Sequence, residues 1–127
     1  MKRLLAAVLL SLACFAANAE LVFLAQSSSE DRAYADPATK RRSGNFVRVW
    51  EILDYKKPKA INGKTYYSDR AYMQYDCVER TAQILQITLY SGKMAAGEVV
   101  LTDYQPGVKS FVAPGTNGEN KFDFACK

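Results

Sequence analysis

The sequence predicts an α+β domain: an antiparallel sheet of about six strands, a short C-terminal helix packed on it, and one disulfide. Three observations carry this. Apolar runs alternate in strand period and are punctuated by turn residues over most of the chain. A capping box opens the last dozen residues. Behind an export signal the chain keeps only two cysteines, Cys77 and Cys126.

The export signal comes first. Lys2 and Arg3 form a positive start, and Leu4 to Ala16 is an apolar run. Ala17-Asn18-Ala19 then supplies the small-x-small pattern that signal peptidase cleaves, with Glu20 as the new N-terminus. The run is shorter than the roughly 20 apolar residues of a spanning helix. Residues 1–19 therefore read as a cleaved signal and 20–127 as one domain, with no transmembrane segment in the mature form. Ser11-Leu12-Ala13-Cys14 is the alternative, a weak lipobox whose cysteine would become an acylated N-terminus. Removal of the signal leaves 127 − 19 = 108 residues, with 17 − 2 = 15 Lys+Arg against 13 Asp+Glu. A net charge of +2 does not suit nucleic acid, whose binders carry a large basic excess.

The elements follow in order. Leu21 to Leu24 is a short apolar strand, and Ser27 to Asp31 is a polar turn. Tyr34 to Asp36 is a brief strand stopped by Pro37, and Lys40 to Asn45 is a basic loop. Phe46 to Tyr55 is the strongest strand, rich in β-branched and aromatic residues. Alternation puts Phe46, Trp50 and Ile52 on one face and Val47, Val49 and Leu53 on the other. Apolar residues on both faces predict a central strand covered on both sides, with Trp50 buried. Lys56-Lys57-Pro58-Lys59 breaks that strand, and Asn62-Gly63 is a tight turn. Tyr66 to Val78 and Arg80 to Tyr90 read as long strands. Ser91 to Gly97 is a connection, Glu98 to Tyr104 a further strand, and Phe111 to Ala113 the last. Thr116 caps a helix with Glu119 reaching back, and Phe122, Ala125 and Cys126 share its buried face.

The chemistry is mostly exclusion. The chain has no histidine, which removes Ser-His-Asp and Cys-His catalysis and the commonest metal ligand. The cysteines lie too far apart in sequence for a Cys-x-x-Cys centre or a zinc knuckle. No phosphate-binding glycine loop is present. No catalytic residue, metal site or cofactor is expected. Asp76 and Arg80 suit a structural ion pair. Two basic clusters, Lys40-Arg41-Arg42 and Lys56-Lys57 with Lys59, flank the Trp50 strand and are the candidate binding residues. They suit sulfated glycans, anionic lipid heads or acidic protein surfaces. On a straight strand they stand at opposite ends of the sheet and form separate patches. Tyr66, Tyr67, Tyr72, Tyr75, Tyr90 and Tyr104 are a further candidate surface, or ordinary sheet filling.

Val47 to Tyr55, Tyr75-Asp76-Cys77 with Arg80, Tyr90-Ser91, Pro114-Gly115 and the terminal Phe124-Ala125-Cys126 follow one another in an order that resembles the surface-adhesin protein E family. The resemblance spans roughly residues 21–127. It implies exported proteins of Gram-negative bacteria, a helix packed on an antiparallel sheet, and a bond between the two cysteines. It also implies adhesion to host matrix proteins such as vitronectin and laminin, and possible homodimers. The expected function is thus an exported, non-catalytic, adhesin-like binding module in the periplasm or at the cell surface. Its expected partners are a matrix protein, a glycan or another polyanion. The alternative is a structural or stress-related envelope protein with no host ligand.

Overall fold

A long antiparallel hairpin is the axis of the structure, a computed structural model that describes residues 20–127. The expected signal segment, Cys14 included, lies outside the described residues. Ten elements follow in order: β1 Val22–Gln26, β2 Arg32–Ala35, a 3₁₀ turn Pro37–Thr39, β3 Arg41–Ser43, β4 Phe46–Ile61, β5 Lys64–Asp76, β6 Thr81–Tyr90, β7 Val99–Asp103, β8 Ser110–Phe111 and α1 Asn117–Cys126. The continuous path is β1-β2-β4-β5-β6-β7, six strands, in keeping with the expected sheet of about six. Two short additions complete one eight-stranded sheet, β3 on β4 and β8 on β6. All pairings are antiparallel.

Two features of β4 depart from the sequence reading. The strand does not end at Tyr55 but runs to Ile61 and turns at Asn62-Gly63. Its pairing to β5 slips between Asp54↔Ser68 and Lys59↔Tyr66. The slip takes Lys56, Lys57 and Pro58 out of the ladder, so the missing proline N–H costs no hydrogen bond. Pairing then resumes to Ile61↔Lys64. Beyond Lys59 the hairpin is a two-stranded ribbon whose ladder partners are only its own two strands. Secondly, the expected basic loop contains a strand. Arg41, Arg42 and Ser43 pair with Arg48, Val47 and Phe46 across a tight turn in which Gly44 takes φ +59°.

One face of the sheet forms the core. Val47 and Val49 are fully buried beside Ala33, Ala35, Tyr75 and Ala25. Helix α1 lies on this face and contributes Phe122 and Ala125. Thr116 caps it as expected, accepting the Glu119 N–H at 3.3 Å. The Glu119 carboxylate reaches one residue further back than the usual capping box and accepts from the Gly115 N–H at 3.4 Å. Cys126, the last helical residue, is bonded to Cys77 just beyond β5.

The opposite face is not covered. Arg48 and Phe46 are exposed, and Trp50 and Ile52 are half-buried. The expectation of a strand covered on both sides, with a buried Trp50, is therefore corrected. A ten-residue helix is about 15 Å long, enough for part of one face. On the open face Trp50 instead stacks on Tyr72 at 4.9 Å, with the Arg70 guanidinium 4.6 Å from its ring.

The expected Asp76–Arg80 pair does not form. Asp76 accepts the backbone N–H groups of Val78 and Glu79, both at 3.0 Å, and so closes the β5–β6 turn. Arg80, at positive φ in that turn, crosses instead to Glu119 on α1 at 3.2 Å and lies over the Phe122 ring at 4.6 Å.

Candidate functional site

The basic residues divide into committed and free groups. Lys40 is committed: its Nζ donates to the Phe124 carbonyl at 2.7 Å and stands 5.0 Å over the Phe124 ring. A cation at the last turn of a helix meets carbonyls that have no helical donor. Arg41 and Arg42 are exposed on β3. Adjacent strand residues point to opposite faces, so the two do not act on one surface. Lys56, Lys57 and Lys59 are all exposed where the hairpin departs from the sheet. With Pro58 and Ser28 to Asp31 they line a shallow cleft of about 400 Å³. The Lys56 N–H donates to Asp31 at 2.9 Å, its Nζ lies 3.9 Å from Glu30, and the Lys59 Nζ lies 5.0 Å over the Tyr55 ring. Arg48, opposite Arg41 in the register, and Lys56 are separated along β4 by about 26 Å at roughly 3.3 Å per residue. The clusters are separate patches, as the straight-strand reading requires.

The tyrosines do not form one surface. Tyr75 is buried against Phe122, Tyr66 packs edge-on to Tyr55, Tyr72 lies on the open face, and Tyr104 is exposed past β7.

Two buried carboxylates are a feature the sequence reading missed. Glu51 and Asp69 are each only 5% exposed, on the core face of β4 and β5. The Tyr75 hydroxyl donates to Glu51, and the Tyr55 hydroxyl donates to Asp69 at 2.5 Å. Lys121 on α1 reaches to 3.9 Å from Glu51. Together with Met73, Ile84 and Ile87 these three residues line a small cavity of about 110 Å³. Loss of water around the carboxyls favours their neutral forms and raises both, Asp69 to about 6. Lys121 opposes that rise in each. Burial and the neighbouring acids also push both tyrosines upward, so they remain proton donors. A signal for Glu51 was present: it shares strand parity with Val47, Val49 and Leu53.

A pH prediction follows. Asp69 holds its proton more tightly folded than unfolded, where a carboxyl titrates near 4. Between about pH 4 and 6 the folded state binds the extra proton, so stability falls as pH rises. The contribution is fully present below pH 4 and lost above 6, about 2–3 kcal/mol in all. Glu51 acts with the same sign. Asp69→Asn should flatten denaturant midpoints between pH 4 and 7; an unchanged profile would remove Asp69 as the cause.

The sequence profile of the surface-adhesin protein E family matches residues 22–127, nearly all of the described chain. The chain belongs to the surface-adhesin protein E family. Solved structures of Haemophilus influenzae protein E have the same fold. One crystal form superimposes with a TM-score of 0.68 at 13% identity, covering 84% of this chain and 86% of that one. Two others give 0.65 at 14% identity, covering 84% of this chain and 83% of that one, and 0.64 at 15%, covering 84% and 74%. At such identities the likeness is one of fold. No curated protein sequence matches the chain. Membership makes this chain adhesin-like. Among the described residues no helix is long and apolar enough to cross a membrane.

Proposed function

We propose that this member of the protein E family is an exported adhesin-like module that binds a polyanionic partner, a matrix protein or glycan, through its basic patches. Residues 1–19 are its cleaved signal, and the domain acts in the periplasm or at the outer membrane or cell surface. One observation supports the reading above the rest. Lys56, Lys57 and Lys59 are gathered, exposed, at the root of a ribbon that leaves the sheet, in a family of surface adhesins. Arg41 offers a second, distant point of charge on the open face, and Arg42 stands on the other face of β3. Lys40 is withheld by its bonds to α1.

Immobilised vitronectin, laminin and heparin are the probes. Exposed charges are screened as the Debye length falls from about 10 Å at 0.1 M salt to about 3 Å at 1 M. Replacement of Lys56, Lys57 and Lys59 together by Gln should weaken binding to at least one probe about tenfold and flatten its salt dependence, with little change in melting temperature. Retention by all three probes that ignores both salt and the triple replacement would reject the lysine cluster. Binding to none would favour an envelope protein without host ligand.

A further inference from the structure

We propose that the uncovered face of the sheet carries a second, built binding site: a cleft between β3, β4 and β5 that takes an anionic sugar of a sulfated or carboxylated polysaccharide. This goes beyond the lysine patch, which lies at the far end of β4.

Arg41, Ser43, Phe46, Arg48 and Tyr72 line a cleft of about 280 Å³. That is just below the usual range for small-molecule sites, which begins near ~300 Å³, and suits a ring rather than a long ligand. Arg41 and Arg48 stand directly opposite each other in the β3–β4 register. Like charges at facing positions destabilise a strand pair. A purely structural sheet gains nothing from this placement. Neither guanidinium is neutralised: among the described residues no ion pair includes Arg41, Arg48 or Arg70. The two carboxylates of β4 and β5 that share the strand parity of this face are engaged elsewhere. Asp76 holds its turn, and Asp54 accepts from the Met94 N–H and pairs with Lys93.

Both arginines are nonetheless held in place. Arg41 Nη1 donates to the carbonyls of Ala38 and Lys40, both at 2.9 Å, and Arg48 Nε donates to Gln74 at 2.8 Å. Each keeps further N–H donors for a bidentate partner such as a carboxylate or sulfate. The aromatic side is equally fixed. Tyr72 ends a stack that runs from the Arg70 guanidinium through the Trp50 ring. An aromatic wall beside two unpaired guanidiniums recognises a ring with an apolar side and an anionic edge, which is the chemistry of a uronic acid or a sulfated hexose. A free sulfate would use the arginines and ignore Phe46 and Tyr72. Single-stranded nucleic acid also stacks and pairs with arginine, but it needs a basic groove along several nucleotides, and the face offers one cleft.

The test is calorimetric titration of the protein with a heparin-derived tetrasaccharide, inorganic sulfate and a single-stranded DNA oligonucleotide. Arg48→Gln and Arg41→Gln should each weaken the tetrasaccharide about tenfold without shifting the melting temperature. Tyr72→Leu should weaken it severalfold. The Gln triple replacement at Lys56, Lys57 and Lys59 should change it less than about threefold, which separates failure of the cleft from failure of the lysine patch. Sulfate should bind at least about tenfold more weakly than the tetrasaccharide. The cleft is rejected by arginine variants that bind the tetrasaccharide normally, by sulfate as tight as the sugar, or by tighter binding of the DNA.

Discussion

Phe122→Ala is expected to lower the stability of the domain by about 3–5 kcal/mol, the range for truncation of a buried aromatic. Phe122 is 3% exposed and meets Tyr75 edge-on at 6.4 Å, with the Arg80 guanidinium over its ring at 4.6 Å. It is the large side chain by which α1 joins the core; Ala125, the other buried helical residue, is small. For a domain of about this size each kcal/mol moves the thermal midpoint by roughly 4–8 °C, so a drop of at least about 12 °C should be seen by circular dichroism. Phe122→Leu should keep much of the loss from appearing, because volume and apolarity are largely retained. A Phe122→Ala shift below about 1 kcal/mol would mean that the helix is an accessory to the sheet and not part of its core.

Replacement of Cys77 and Cys126 together by Ser should cost about 2–4 kcal/mol. Their bond closes a separation of 49 residues and ties the end of α1 to the end of β5. The cost falls largely on the unfolded side: without the link the open chain explores far more conformations. It also falls on α1, whose last turns are otherwise held by Phe122, Phe124 and Ala125 against the core and by the Lys40 contact. Thiol labelling of the unfolded, unreduced protein checks the pairing first. Reactive Cys77 and Cys126 thiols in that state would contradict it. A wild-type denaturant midpoint in the double replacement would show that the bond restrains a segment already held by packing.

The two mutants probe what was legible in the sequence and what was not. Apolar runs bounded by turn residues, with alternation in the longer ones, located the six strands of the main path. Thr116 and Glu119 marked the helix start, because backbone N–H groups at that end need acceptors. The cysteine pair followed from compartment and count. Three matters depended on tertiary context. Alternation shows that β4 has two apolar faces, but not that a short helix covers one. Pro58 stops a ladder locally, yet a slip in register carried it past the hydrogen-bonded positions. Arg80 had an acid close by in sequence and took a different one on the helix, because Asp76 was already needed by two backbone N–H groups. In the candidate sites, Lys40 read as a free loop cation from sequence, and only the folded chain brings the Phe124 carbonyl to it. Arg41 and Arg48 became a pair only once β3 existed as a strand.

The ribbon beyond Lys59 has a different consequence. Its ladder runs from Lys59↔Tyr66 to Ile61↔Lys64 and adds no strand to β2 or β6. Residues there are answerable to one another and to the turn at Asn62-Gly63, and hardly to the core. Such a segment is the natural place for change: residues can be exchanged, or a short peptide inserted at the turn, with the geometry of the sheet left as it was. An engineer would graft there first. The hairpin stem from Phe46 to Asp54 is where exchange would be felt, because its Val47 and Val49 are fully buried in the core.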